Sequence, residues 1–505
     1  MLRVLLALGL AACASLPAAA DRPNILFIFT DDHAQAAISA YGSQVNATPH
    51  LDRLAASGVR FTNSFVTNSI CTPSRATLLT GQYSHTNGVP VFNRFDGGVD
   101  HVAKRLQAAG YHTGMIGKWH LGSDPTGFDR WIVLPGQGDY WNPRFIVPGR
   151  TLSIPGHVTG ITADLGIEFL KTRPADRPFF LMLHHKAPHR SWEPDERNKA
   201  RFAEAEIPEP ATLRDAYATR PAALPGNRQT IARDLTPEDL KREPPAGLAG
   251  DDLLRWKYRR YMQDYLACVQ GVDDSIGRVL DFLDDAGLAA NTVVIYSSDN
   301  GWFMGEHGLY DKRFMYEPGL RVPLIARGPG VAAGIAPAQF VANIDLAPTF
   351  LDLAGVAIPA SMQGRSLAPL LRGEPPADWR TSVYYRYYHD PGHHDTRAHY
   401  GVRTSTHKLI HYWTQDAWEM YDLAADPHEL HNLLFDPAEA ARPAIAARFQ
   451  ELQAEIARLQ KAYADDGRFA DLKTLPPEDV QGDVAGKEPL GAKSVAEAIA
   501  ASVAR

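Results

Sequence analysis

Five strand-length runs recur along the chain, and most end in a cluster of polar residues. They are Asn24–Phe29, Tyr111–Ile116, Phe179–His185, Thr292–Ser297 and Val322–Ala326. Runs apolar on both faces suit the buried strands of a parallel sheet. Gly58–Phe65 reads as a further strand, and Thr48 to Leu54 starts a helix. Between them lie helical patterns at His101–Ala109 and at Trp256–Ala286. The second carries Tyr261, Tyr265, Cys268, Val272, Ile276, Val279 and Phe282 near a 3.6-residue period. This alternation predicts an α/β fold with helices on both faces of a large, mostly parallel sheet.

The pattern changes after Pro376. Val383–Tyr388, His399–Thr404, Lys408–Trp413 and Trp418–Asp422 read as short strands with no helices between them. They predict a smaller antiparallel sheet, with Ala438–Ala462 as a covering helix. Ser123–Gly160 reads as a surface excursion, and Glu193–Gly250, with weak periodicity, as an insertion. The expected layout is a leader at 1–20, a large domain at 21–376, a small α+β subdomain at 377–465 and a tail at 466–505.

Composition narrows the picture. The chain has 505 residues, 45% hydrophobic and 22% charged, with a net charge of -7. A nucleic-acid footprint would need a basic excess, which is absent. In the first twenty residues, Arg3, the apolar stretch Val4–Ala12 and Ala18-Ala19-Ala20 fit an export signal. Leu10-Ala11-Ala12-Cys13 offers a second reading, a lipoprotein box that would leave Cys13 lipidated. The three cysteines, Cys13, Cys71 and Cys268, support no disulfide framework. No transmembrane span is expected once the leader is removed.

Candidate chemistry gathers at the strand ends. Asp31-Asp32 follows the first run and Asp299-Asn300 the fourth. Three carboxylates and one amide oxygen form a hard donor set, suited to calcium or magnesium. Cys71-Thr72-Pro73-Ser74-Arg75 opens a short helix that Gly81 can close. Thr72 reads as its cap and Pro73 as its first residue. Cys71 then stands beside unpaired amides at a positive helix end, with Arg75 one turn on. Lys118 and His120 sit in Gly-Lys-Trp-His-Leu-Gly, His189 in Lys-Ala-Pro-His, and Lys312 closes Gly305–Lys312. Taken singly, each has an ordinary reading: a tight turn, a solvated loop, a packed histidine or a surface lysine.

Together they carry a resemblance. Cys-x-Pro-Ser-Arg followed by Leu-Thr-Gly resembles the signature of type I sulfatases, in the alkaline phosphatase superfamily, and further family motifs follow in order from Arg22 to Asn432. The resemblance implies that a formylglycine-generating enzyme oxidises Cys71 to formylglycine, whose hydrate attacks sulfur. It implies that Asp31, Asp32, Asp299 and Asn300 hold a metal, usually calcium, and that Asp299 serves as base. Lys118, Lys312 and Arg75 would grip sulfate oxygens. His120 would meet the diol and His189 the leaving oxygen.

The subgroup it is most similar to acts on sulfated sugars such as 6-O-sulfated N-acetylglucosamine. Arg397 and His399, in a polar loop with His389, Asp390, His393, His394 and Asp395, are then candidate sugar contacts. The expected product is an exported, periplasmic or secreted hydrolase of sulfated saccharides. Two rival readings stay open: a phosphate or phosphonate ester hydrolase of the same superfamily, and an inactive glycan-binding protein with unmodified Cys71. A dinucleotide-binding enzyme is not supported, because no Gly-x-Gly-x-x-Gly follows the first strand.

Overall fold

Alternate residues of the first strand face two separate cores, which explains why its sequence is apolar throughout. In β1 (Asn24–Thr30), Leu26 and Ile28 join one cluster, and Ile25, Phe27 and Phe29 join the other. The computed structural model describes residues 22–220, 222–480, 490–491 and 494–503. The leader and Cys13 lie outside the described residues.

The remaining strands of the main sheet are β2 (Val59–Arg60), β3 (His112–Lys118), β4 (Arg130–Leu134), β5 (Arg144–Val147), β6 (Arg150–Ser153), β7 (Phe179–His184), β8 (Thr292–Ser298), β9 (Leu324–Arg327) and Leu490–Gly491. Their order is Leu490–Gly491, β6, β5, β4, β3, β7, β1, β8, β9, β2. The central strands β4, β3, β7, β1 and β8 run parallel. Antiparallel β5 and β9 flank them. Helices Val158–Thr172 and Gly250–Asp285 cover one face; Cys71–Thr80, Val102–Ala108 and Leu346–Leu353 cover the other.

The small sheet is an antiparallel meander of β10 (Ser382–Tyr387), β11 (His399–Thr404), β12 (His407–Tyr412) and β13 (Ala417–Asp422). Its period-2 pattern sorts side chains cleanly. Tyr384, Val402, Leu409 and Met420 pack under Leu452, Ile456 and Leu459 of helix Pro443–Ala462. Tyr385, Tyr387, Ile410 and Tyr412 face the large sheet's side, clustering with Ile70, Cys71 and Phe314.

Several stretches differ from the sequence reading. Gly58–Phe65 is two short strands, Val59–Arg60 and Ser64–Phe65, in different sheets. Ser123–Gly160 is not a surface excursion: it supplies β4, β5 and β6. Their shortness and the glycines between them hide the period. Glu193–Gly250 buries Phe202, Leu213, Ile231, Leu235 and Leu240 in the same core as helix Gly250–Asp285. Its apolar residues are real core, spaced by turns rather than by a helical repeat.

The 466–505 stretch also carries structure. Leu490–Gly491 pairs in parallel with β6, and Trp131 N–H donates to Ser502 O at 2.9 Å. Helix Val495–Ala501 buries Ala498 and Ile499 in the first core cluster. Burying a carboxylate at Ile499 should therefore cost at least about 2 kcal/mol. Ile499→Asp is expected to lower the melting temperature by several degrees in differential scanning calorimetry. An unchanged midpoint would show that this helix contributes nothing to the core.

Candidate active site

Strand register builds the site. β1 and β8 run parallel with Thr30 opposite Ser298, so Asp31-Asp32 and Asp299-Asn300 leave the sheet side by side. This is the carboxyl end of the strands, where open α/β sheets place their ligands. Asp299 N–H donates to Thr30 O at 3.0 Å, and Asp32 N–H to Asp299 Oδ1 at 3.1 Å. Asp32 takes φ of 69°, the left-handed region, which turns its carboxylate back over the strand ends.

The helix that meets them starts two residues earlier than its sequence suggests. Ile70 precedes it in extended conformation, and Cys71 is its first residue. Pro73 lies inside the first turn, where its missing N–H costs nothing. Thr72 does not cap; its hydroxyl donates to His120 O at 2.8 Å. Gly81, at φ of 63°, ends the helix as expected. All ten residues are buried, so the positive end is shielded from water.

Cys71 lies among the predicted metal residues. Its thiol donates to Asp31 Oδ1 at 3.4 Å; Asn300 Nδ2 stands 3.6 Å and Lys312 Nζ 3.3 Å from the sulfur. Burial, then the charge of Asp31, pushes this thiol well above its ordinary pKa. Unmodified, it is a neutral hydrogen-bond donor and a poor nucleophile.

Oxygens of Asp31, Asp32 and Asp299 lie within 4.8 Å of one another, and all three residues are fully buried. Burial pushes Asp32 up to about 8 and Asp299 up to about 6. Burial also raises Asp31, but the positive charges beside it, Lys118 foremost and then Arg75, outweigh it and hold this carboxyl well below its usual range. Asn300 Nδ2 donates to Asp32 Oδ1 at 3.0 Å and to Asp299 Oδ1 at 2.9 Å, while its Oδ1 has no partner. Turning the amide over would add a fourth oxygen to the cluster. The donor set is hard and compact, so these residues fit a divalent cation.

The predicted cations surround this cluster. Lys118, the last residue of β3, pairs with Asp31, and Lys312 pairs with Asp32. Lys312 sits between two left-handed residues, Asp311 at φ of 76° and Arg313 at 87°. His189 Nε2 is 3.7 Å from Asp32 Oδ2, and its Nδ1 lies 2.6 Å from Arg190 O. His120 is buried against Phe92, with no hydrogen-bond partner on either ring nitrogen. Burial, then Lys118, holds both histidines well below their ordinary pKa, so both are neutral.

Two sequence expectations, for Arg75 and His399, need correction. The Arg75 guanidinium is taken up by the protein itself: its Nη2 pairs with Asp299 Oδ2 at 2.8 Å and its Nη1 donates to Lys118 O at 2.6 Å. It braces the carboxylates from behind. His399 is fully buried among Phe314, Tyr385, Tyr387 and Tyr412, with its Nδ1 2.8 Å from Arg397 O. It is a core histidine, its ring packed by aromatic neighbours. Arg397 is turned to Asp390, 3.1 Å away.

Gln137 was missed. Lys118 Nζ donates to its side-chain oxygen, and Lys186 Nζ donates to its backbone oxygen at 3.1 Å. The parallel pairing of Lys118 with Leu134 delivers this loop to the site. Recognising Arg130–Leu134 as a strand beside His112–Lys118 would have found it.

Comparison with known proteins gives the family. The family model described as Sulfatase matches residues 23–356, and the one described as N-sulphoglucosamine sulphohydrolase, C-terminal, matches 305–461. An N-acetylglucosamine-6-O-sulfatase of Bacteroides thetaiotaomicron is 42% identical over 516 aligned residues, covering 92% of this chain and 91% of that protein. A structure solved in complex with its substrate D-glucosamine-2-N,6-O-disulfate superposes with a TM-score of 0.85 at 42% identity, over 89% of this chain and all of that one. The phosphonate monoester hydrolase of Agrobacterium radiobacter shares the fold, with a TM-score of 0.70 at 24% identity over 86% of this chain and 96% of that one. A matched signature, a full-length relative and a cysteine seated among four metal-type ligands agree, and this chain belongs to the sulfatase family.

Proposed function

We propose that this sulfatase releases inorganic sulfate from an amino sugar, 6-O-sulfated N-acetylglucosamine. The observation that carries the reading is the seating of Cys71, at a buried helix tip, against Asp31, Asn300 and Lys312. The full-length similarity to an N-acetylglucosamine-6-O-sulfatase supports the sugar.

Asp31, Asp32, Asp299 and Asn300 would hold a divalent cation, calcium in this reading with magnesium as the alternative, which supplies positive charge beside the nucleophile. Formylglycine, made from Cys71 by a maturing enzyme, would supply a hydrated aldehyde as that nucleophile. The chain's own charges fit an anionic substrate. Lys118, Lys312 and Arg75 balance three carboxylates, so a divalent cation leaves the site doubly positive. Lys118, paired with Asp31, and Lys312, paired with Asp32 and 3.3 Å from the Cys71 sulfur, can each donate to a sulfate oxygen and so stabilise charge as it builds up.

His189 is placed for the leaving oxygen. Its Nδ1, facing the Arg190 carbonyl, keeps one proton, so Nε2 is the atom that exchanges the other. A protonated imidazole here is a strong acid, because burial and Lys118 disfavour its charge. His120, with no hydrogen-bond partner on either ring nitrogen, is the group that would take a proton as sulfate departs. Its left-handed backbone, φ of 54°, is pinned by the Thr72 hydroxyl.

The reading also places the chain outside the cytoplasm, through the leader at 1–20 or a lipid on Cys13. Among the described residues, no helix is long and apolar enough to cross a membrane.

Cys71→Ala is expected to reduce sulfate release by at least about three orders of magnitude. In protein from the native host, mass spectrometry should find an aldehyde at position 71. Substantial sulfate release by the variant, or a faster reaction with the matching phosphate ester, would overturn the reading. Calcium binding should itself depend on pH. Asp299 and Asp32, raised to about 6 and about 8, must lose protons to bind the ion, so affinity falls as pH drops through that window. Calorimetry at pH 8 and pH 5.5 should show a loss of about tenfold or more, and equal affinity at both would contradict a carboxylate-held ion.

A further inference from the structure

The family models stop at residue 461, yet the chain continues toward the active site. Tyr463 O accepts from His85 Nε2 at 2.9 Å, and Asp465 accepts from Tyr384 OH at 2.7 Å and pairs with Arg386. These contacts fix the start of a strap that crosses the seam between the two sheets. Its far end reaches Phe92: Asp479 N–H and Val480 N–H donate to Phe92 O at 3.1 and 3.2 Å.

Between these anchors, the Glu478 carboxylate makes three contacts. Phe92 N–H donates to Oε1 at 3.3 Å, His393 Nε2 lies 3.0 Å from Oε2, and His389 Nδ1 lies 3.5 Å from Oε1. His389 and His393 belong to the polar loop that follows the first strand of the small sheet. That loop borders the site at two points. His394 Nε2 lies 3.1 Å from Asp311 Oδ2, directly before Lys312. The ring of His393 sits 5.0 Å from Phe92, whose ring is 5.6 Å from His120.

We infer that Glu478 is a positioning residue that latches the 389–395 loop over the sugar side of the active site. The strap thus carries a specificity determinant that lies outside the sulfatase body. A single carboxylate gathers two loop histidines and the backbone N–H of Phe92, so the loop cannot lift from the strap without breaking both histidine contacts. Half-burial raises the Glu478 carboxyl, but the hydrogen bonds from His389 and His393 outweigh it and hold it well below its ordinary range. The carboxylate stays charged as these contacts require.

The substrate arm of the test rests on the amino-sugar reading; the structural arm does not. In Glu478→Ala, amide hydrogen exchange of a 388–398 peptide should speed up about tenfold relative to parent, with the melting temperature near parent. The KM for 6-O-sulfated N-acetylglucosamine should rise about tenfold with kcat within about twofold, while inhibition by inorganic sulfate, which touches only the lysine and metal end, stays unchanged. Glu478→Gln, which keeps one carbonyl acceptor, should fall between parent and alanine variant.

Unchanged exchange in Glu478→Ala overturns the latch. Equal weakening of sugar-sulfate and free sulfate overturns its placement on the sugar side. Failure of the parent to cleave the sulfated sugar would count against the proposed function alone, since the exchange experiment still decides the latch.

Discussion

Three carboxylates forced to one dry point are the constraint around which this molecule is arranged. Asp31, Asp32 and Asp299 would repel one another strongly without compensation, since burial removes the water that would screen them. The compensation is assembled from distant segments: Arg75 from a helix, Lys118 from a strand end, Lys312 from the position just after the short strand Tyr310–Asp311. Each pairs with a different carboxylate. The main sheet's parallel register is what makes the crowding unavoidable, because Thr30 and Ser298 are partners and the next residues have nowhere else to go.

The same constraint explains where the backbone is strained. Asp32, His120, Asp311 and Arg313 all adopt positive φ without being glycine. Such residues cost of order 1–3 kcal/mol each and persist only where surroundings over-determine them. Here the surroundings are identifiable. The Thr72 hydroxyl fixes His120, the Asp299 carboxylate fixes the Asp32 amide, and Arg313 pairs with Asp311 at 2.6 Å across Lys312. Strain of this kind aims side chains that a relaxed loop would leave pointing to water.

Much of the site was legible in the sequence because strand ends and a helix start are local features. Asp31-Asp32, Asp299-Asn300, Cys71, Lys118, His189 and Lys312 all follow apolar runs or turn signals, and the structure brings them together. What escaped was set by packing across long separations. Gln137 reaches Lys118 only because two strands end side by side. His399 looked like a sugar contact in a polar loop, yet the period-2 pattern of its own strand turns its ring into an aromatic core. Phe92 and Glu478 are 386 residues apart, and no periodicity reports such a pair. The helix at 495–501 was hidden for a related reason. Its sequence is short and alanine-rich, and only the neighbouring helix and strand give it a surface to bury.

The two sheets are not independent supports for the site. Glu317, five residues past Lys312, lies part-buried between them. It receives Lys408 Nζ at 2.9 Å and Arg403 Nη2 at 3.2 Å from the small sheet, and Arg321 from just past the short helix that Glu317 opens. Lys408 is fully buried and also meets Glu429 at 2.6 Å. A buried cluster of this kind adds little net stability, because desolvation offsets attraction. Its geometry is nonetheless demanding, since losing any one member leaves a charge stranded. It therefore fixes the register between the small sheet and the segment that carries Lys312. With the strap holding the opposite rim through Glu478, the middle of the loop between β10 and β11 is held from two sides, His393 by Glu478 and His394 by Asp311, the residue before Lys312. The small sheet thus acts as a wall whose position relative to Lys312 is set by charge pairing, while the large sheet sets the position of the carboxylates by register. Lys312 therefore answers to both sheets: its partner Asp32 is placed by strand register, and its own segment is tied to the small sheet through Glu317.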